Sequence, residues 1–188
     1  MKQAIVILFV TILFFGAFAQ EQPAFVPSKA QKGVATSTDV FAIALPASAL
    51  VGTLVMKDWK GLLQGVETAA VTAAVTLILK YSIKEWRPDM SNTHSFPSGH
   101  SAVSFATAAY LQRRYGWAYG APAYALSCYV AWGRCFAKKH HWYDVMAGAA
   151  IGAGSAYIFT RPFARKHDLQ IAPVSDGTNI GLYASISF

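Results

Sequence analysis

Val40–Met56 reads VFAIALPASALVGTLVM, a run without a single charged residue. Its length and the scarcity of breakers predict a helix. Lys57-Asp58-Trp59-Lys60 interrupts the run, and a comparable one follows from Leu62 to Ile83. Others cover Ala102 to Leu111, Trp117 to Trp132 and Val145 to Thr160, and one more, Ala4 to Phe18, precedes them all. The expected fold class is therefore all-α, a transmembrane bundle of five to six mostly apolar helices with a short C-terminal β-hairpin. The stretch AGAAIGAGSA, Ala147–Ala156, suits close packing of one helix on another. Runs this short against a hydrocarbon core of about 30 Å leave a soluble helical bundle open as the alternative.

Composition points the same way. Of the 188 residues 54% are hydrophobic and only 13% charged, against about 25% charged in an ordinary soluble domain. The formal net charge of +7, from 16 Lys and Arg against 9 Asp and Glu, suits an anionic lipid surface, a phosphorylated substrate or a nucleic acid. No recognition helix or aromatic-basic interleaving supports the nucleic acid.

Lys2, the apolar run and Ala17-Phe18-Ala19 form the three parts of a signal peptide, residues 1–19, with an uncleaved N-terminal anchor as the other reading. A polar lead-in, 20–38, a helical domain, 39–166, and a tail, 167–188, complete the expected organisation. In the tail, alternating apolar residues flank Asp176-Gly177, a hairpin pattern whose plainest role is a packing appendage. Cys128 and Cys135 on one helix would stand roughly 10 Å apart along its axis, too far to bridge, and read as buried thiols. Lys57 and Lys60, Arg113 and Arg114, and Arg161, Arg165 and Lys166 follow alternate apolar runs, where a positive-inside topology wants cytoplasmic cations.

Three polar clusters fall at the opposite end of the helices. In Lys80-Tyr81-Ser82-Ile83-Lys84-Glu85-Trp86-Arg87-Pro88, a helix continuing to Trp86 would put Lys80, Lys84 and Arg87 on one face. In Phe96-Pro97-Ser98-Gly99-His100-Ser101, a Ser-Gly pair enters a helix, whose first N–H groups converge on one point and suit a phosphate. In the third, Arg134 to Asp144, His140 and Asp144 stand at i and i+4. On a helix the carboxylate would accept the proton of one imidazole nitrogen and leave the other free as nucleophile or base. Each cluster alone has a plain structural reading: a headgroup-contacting helix end, a capped turn, a structural His-Asp pair. Their shared end of the bundle favours a site. His141 is three residues before Asp144 rather than four, and His94 reads as a loop residue beside the entry.

Lys80 with Arg87-Pro88, then Pro97-Ser98-Gly99-His100, then Arg134 with His140 and Asp144, resembles the three-part signature of the type 2 phosphatidic acid phosphatase superfamily. That family includes membrane lipid phosphatases, soluble class A acid phosphatases and vanadium haloperoxidases. The resemblance implies a phosphatase without metal or cofactor. His140 would attack phosphorus to form a phosphohistidine, Asp144 would orient it, and His100 would protonate the leaving oxygen and then activate water. Lys80, Arg87, Ser98, Gly99 and Arg134 would surround the phosphate oxygens. One departure stands out: Gly133 occupies the position before the Arg where the family usually has Ser, which removes a hydroxyl. The implied partners are a membrane and a phosphorylated lipid, such as undecaprenyl diphosphate, phosphatidic acid, phosphatidylglycerophosphate or a lipid A-type glycolipid. The implied location is a bacterial inner membrane with the site facing the periplasm. A soluble periplasmic acid phosphatase is the alternative, and a haloperoxidase a remote one.

Overall fold

The computed structural model describes residues 25–163, 169–175 and 180–186. Five helices follow one another, α1 (Lys29–Val55), α2 (Trp59–Ser82), α3 (Gly99–Tyr115), α4 (Trp117–Phe136) and α5 (Trp142–Phe159). Each expected apolar run from Val40 onward becomes one helix. The run before them and the expected leader lie outside the described residues.

The helices are longer than their apolar runs, because capping residues and buried polar side chains extend them. α1 begins at Lys29, inside the expected polar lead-in. Ser28 Oγ accepts from the Gln31 N–H at 3.2 Å, while Gln31 Oε1 accepts from the Ser28 N–H at 2.9 Å, a capping box. Asp58 caps α2 by accepting from the Gly61 N–H at 2.9 Å. At 27 and 24 residues, α1 and α2 are long and apolar enough to cross a membrane.

Polarity in α2 is turned outside in. Its buried stripe is Gly61, Thr68, Thr72 and Thr76, while Leu63, Val66, Leu77 and Ile78 are exposed. α1 repeats the arrangement in part, with Thr38 and Thr53 buried beside Ala42, Leu45 and Ala49, and Val40, Ile43, Val51 and Val55 exposed. In water such faces would be wasted, whereas hydrocarbon accepts them at no cost. Exposed aromatic residues mark both ends of the bundle, Trp59 and Trp117 at one and Tyr81, Trp86 and Trp142 at the other, as interfacial belts do.

α3 is the central helix and touches all four others. It can do so because most of its buried side chains are small, Ser101, Ala102, Ser104, Ala106, Ala108 and Ala109, with the large ones, Tyr110 and Arg114, confined to its C-terminal end. The closest approach is that of α5. A Cβ on Gly152 would collide with the Ala102 carbonyl and stand 2.8 Å from the Ala106 nitrogen, and one on Gly148 would collide with the Ser98 carbonyl. The small-residue stretch of α5 thus lets two backbones meet, as its composition predicts.

At the end away from the three clusters, Arg114 and Asp58 form a buried bidentate pair, with Nη2 to Oδ1 at 2.5 Å and Nε to Oδ2 at 2.6 Å. Arg114 also donates to the carbonyls of Arg161 and Pro162. Burial would raise the Asp58 pKa, but Arg114, the Gly61 N–H and the Tyr115 hydroxyl outweigh it and hold the carboxyl below its ordinary value. Arg114 is therefore a structural cation rather than the free membrane-surface charge expected of it. Both cysteines are free, Cys128 exposed and Cys135 half-buried, so neither is the fully buried thiol expected.

In the tail, Leu169–Ser175 (β1) and Ile180–Ile186 (β2) run antiparallel, with Leu169 opposite Ile186. Residues 176–179, where the turn was expected, lie outside the described residues. Among the described residues these strands make no contact with the helices, so a packing appendage finds no support and the domain itself is all-α.

Close approach at Gly152 has a measurable consequence. Gly152→Ala is expected to destabilise the protein by about 1–3 kcal/mol, because the added methyl meets backbone that cannot move aside. Gly154→Ala, whose Cβ would meet nothing within 4 Å, is expected to be neutral. Thermal unfolding of both variants in detergent checks the difference.

Candidate active site

The loop between α2 and α3 decides how the three clusters meet. α2 ends at Ser82, with Ile83 as its extended C-cap, so the chain leaves the helix before Lys84. The expected helical face of Lys80, Lys84 and Arg87 does not exist, and Lys84 is exposed. Instead Glu85 bridges to His94, with the Glu85 N–H donating to Thr93 O and the Ser95 N–H to Glu85 O, both at 3.0 Å. This folds the segment back over the helix ends. Lys80 Nζ ties it down, donating to Pro97 O at 2.8 Å and His94 O at 3.1 Å.

α3 then starts at Gly99 with Ser98 as N-cap. The Ser98 N–H donates to Asp144 O at 3.0 Å and Ser101 Oγ to Val145 O at 2.8 Å, so the second cluster is bonded directly to the third. The result is a cavity of about 450 Å³ whose lining includes Lys80, Arg87, Gly99, His100 and His140. Thus the structure brings together five of the eight sequence-predicted residues as lining. The other three, Ser98, Arg134 and Asp144, are buried beside it. Ser98 turns its hydroxyl to the Ser101 N–H at 3.5 Å, a cap rather than a lining group.

His140 precedes α5 rather than lying on it, and this changes its partner. Its Nδ1 stands 2.8 Å from the Ser95 carbonyl and 3.7 Å from Asp144 Oδ2. A carbonyl oxygen can only accept, so Nδ1 carries the proton and Nε2 keeps its lone pair. Asp144 reaches His140 through Ser95, whose Oγ donates to Asp144 Oδ2 at 2.5 Å while its carbonyl accepts from the imidazole. Sequence reasoning missed Ser95. Its only signal is its place just ahead of Phe96-Pro97-Ser98-Gly99.

His141 is no farther from the carboxylate than His140, since its Nδ1 is 3.4 Å from Asp144 Oδ2. Spacing therefore does not separate the two histidines; position does. His140 is 3% exposed and lines the cavity. His141 is half-buried, lies outside that lining, and stacks on Tyr143 with ring centroids 5.0 Å apart. His94 packs edge-on against Tyr81 at 5.5 Å.

Electrostatics favour a neutral His140. Burial pushes its pKa down first; the nearby Asp144 carboxylate opposes this, and Arg134, Arg87 and Lys80 add to the lowering. Two of the cations keep a donor without an acceptor: Arg87 Nε and Arg134 Nε are buried with no hydrogen-bond partner among the described residues. Buried donors without acceptors, beside positive charge, form a place for an anion.

Two further residues come from α1, which sequence reasoning left out of the site. Asp39 Oδ1 accepts from Arg134 Nη1 at 2.6 Å and stands 2.8 Å from His100 Nε2, and Thr38 Oγ1 is 3.4 Å from Arg134 Nη1. Gly133 makes room for them, since a Cβ there would collide with Thr38 Cγ2 and stand 2.9 Å from Val34 Cγ1. The departure from Ser at this position is explained by the close passage of α1, which returns a hydroxyl to Arg134 from Thr38. Glu85, His141 and Asp144 also gather, with ligand-type atoms within 4.8 Å of one another. That is one candidate metal-binding trio where none was expected. Asp144 Oδ2 already accepts from Ser95 Oγ and the His141 N–H.

A family model described as the PAP2 superfamily matches residues 61–168. The chain is 31% identical over 129 residues to the lipid A 4'-phosphatase of Helicobacter pylori, covering 62% of this chain and 65% of that protein. It is 36% identical over 77 residues to the lipid A 1-phosphatase of Porphyromonas gingivalis, covering 39% of this chain and 17% of that one. The chain thus spans less than two thirds of either relative. Among solved structures it resembles a transmembrane PAP2 type phosphatidylglycerolphosphate phosphatase from Bacillus subtilis, with a TM-score of 0.55 and 19% identity over 82% of this chain and 92% of that one. It also resembles LpxE of Aquifex aeolicus, with a TM-score of 0.52 and 20% identity over 64% of this chain and 83% of that one. At such identities the two structures speak for the fold.

The neutral imidazole can be observed directly. The His140 ring is expected to titrate below the ordinary value of about 6.5, and Arg87→Gln is expected to raise its midpoint, because a lost positive charge favours the imidazolium. Histidine-resolved NMR titration of the two proteins measures both.

Proposed function

The chain belongs to the PAP2 superfamily, and on that premise we propose that it is a membrane lipid phosphatase acting through a phosphohistidine. The observation that carries this is one cavity lined by two histidines and two basic side chains, Lys80, Arg87, His100 and His140, at a helix start. Phosphoryl transfer asks chiefly for positioning and for positive charge around the equatorial oxygens. Lys80, Arg87, the Gly99 N–H and Arg134 are disposed to supply that charge, and Ser98 acts by capping the helix that presents Gly99.

In the first step His140 Nε2 attacks phosphorus while the bond to the leaving oxygen breaks, and His100 gives that oxygen a proton. Positive charge developing on the His140 ring is met through Ser95 by Asp144. In the second step His100 takes a proton from water, whose oxygen attacks phosphorus and releases inorganic phosphate and free His140.

The lipid class of substrate is supported by the outward apolar faces of α1 and α2 and by a second cavity. That groove, about 220 Å³ and lined by residues such as Leu50, Leu62, Val66 and Ala69, shares Thr72 and Val103 with the lining of the first. A lipid phosphate or diphosphate would place its anionic headgroup in one and an acyl chain in the other. The two bacterial relatives favour a phosphorylated glycolipid. Exposed apolar faces count against the soluble acid phosphatase alternative.

Phosphate release from phosphatidic acid or a lipid A-type phosphate, assayed in detergent micelles, is the test. His140→Ala and His100→Ala are expected to lose at least about a hundredfold each, while His141→Ala retains much of the activity. Activity is expected to persist in EDTA and to be inhibited by vanadate. Loss on chelation, restored by a divalent ion, would overturn the metal-free mechanism and direct attention to Glu85, His141 and Asp144.

We also propose that this end of the bundle faces the periplasm of a bacterial inner membrane. Lys57, Lys60 and Arg161 lie at the opposite end, where cytoplasmic cations belong. A cysteine at Asn92, with Cys128 and Cys135 replaced, is expected to react with a membrane-impermeant thiol reagent on intact spheroplasts, and one at Lys60 is expected to be spared. The reverse pattern would invert the topology.

A further inference from the structure

Asp39 is the only acidic residue of α1 and lies two turns from the nearest basic residue of that helix, in a segment that is otherwise apolar or uncharged up to Val55. An isolated carboxylate on such a helix is costly in a membrane protein unless partners hold it. Its partners here are two groups of the site from other helices, His100 Nε2 at 2.8 Å on α3 and Arg134 Nη1 at 2.6 Å on α4. The side chain of Asp39 is 53% exposed while that of Arg134 is 6% exposed, so the carboxylate lies at the edge of the site rather than in the packing between helices.

We propose that Asp39 is a positioning residue for His100. Its carboxylate holds the imidazole by Nε2, so that Nδ1 is the nitrogen that delivers the proton to the leaving oxygen. The proposal rests on the phosphatase function above. Its chemical reason is charge. His100 must carry a proton to act as an acid, yet Arg134 stands beside it, His140 is close, and Lys80 and Arg87 line the same cavity. Asp39 is the carboxylate in direct contact with it, and it offsets the cation of Arg134 with the same oxygen. Geometry at Gly133 makes this contact possible. A side chain there would push α1 away at Thr38 and Val34, and Asp39 follows Thr38 in the chain.

A proton donor matters most when the leaving group is a poor one. An alkoxide leaving a lipid phosphate needs the proton, and p-nitrophenolate leaves without it. Asp39→Ala is therefore expected to lower kcat/KM about a hundredfold on phosphatidic acid and about tenfold or less on p-nitrophenyl phosphate. The second substrate also reports that the variant is folded. Asp39→Asn, which keeps an acceptor oxygen without the charge, is expected to show the same selective loss to a smaller degree. Asp39→Ala placed on His100→Ala is expected to add little on the lipid, because both act through one proton.

Equal losses on the two substrates would overturn the proposal, as would additive losses in the double variant. Tighter inhibition by vanadate in Asp39→Ala, with no selective loss, would also overturn it and make Asp39 a stand-in for the substrate's phosphate. If the wild-type protein hydrolyses neither substrate, the phosphatase function itself falls. If it is active and Asp39→Ala matches it on both, Asp39 alone is misassigned.

Discussion

The backbone-to-backbone contact of α3 with α5 is the constraint from which the site follows. Gly148 and Gly152 allow α5 to lie against the Ser98 and Ala102 carbonyls. At that separation the Ser98 N–H reaches Asp144 O and Ser101 Oγ reaches Val145 O. The start of α3 and the start of α5 are thereby bonded to each other, and the residues just ahead of each, Ser95 and His140, come within one hydrogen bond. Small residues in a membrane helix serve here as a positioning device: they bring two loops together that would otherwise stand a side chain apart.

The far end of the bundle is held by a different kind of interaction. Asp58 and Arg114 are buried together, and removing one partner of such a pair costs about 3–5 kcal/mol because the other charge remains without compensation. The pair joins the turn after α1, the end of α3 and the exit from α5. Between the two ends the helices meet largely through threonines, serines and alanines, and turn many of their larger apolar side chains outward. Small residues along α3 and α5 bring those two axes close, and the cavity of the site opens where Lys80, Arg87 and the histidines form the lining.

The site balances charge of one sign with geometry. Three cations and two histidines converge, and the carboxylates that answer them stand behind rather than among them: Asp144 behind Ser95, Asp39 behind His100 and Arg134. This arrangement leaves the cavity positive for an anion while Lys80 and Arg134 are held in place. A neutral His140 is a result of the same balance, since burial and neighbouring cations both disfavour its protonation.

Of the five to six helices expected, the sequence by itself located the five of the described residues, and it named eight candidate residues that the structure places at one end of the bundle. Apolar runs and ordered clusters are local properties, and burial in hydrocarbon or against a neighbour preserves them. It did not determine where helices stop, because capping is decided by single side chains: Ser28 carries α1 into the expected lead-in, and Ile83 ends α2 before Lys84. Nor did it determine who touches His140. An i, i+4 spacing pairs His140 with Asp144 only on a helix, and the chain there is a loop, so the direct partner became the Ser95 carbonyl. Asp39 was invisible for a related reason. It is far from the other site residues in the chain, and only the passage of α1 over Gly133 brings its carboxylate to His100 and Arg134. Contacts between distant segments depend on how closely backbones can approach, and that distance is set by tertiary packing.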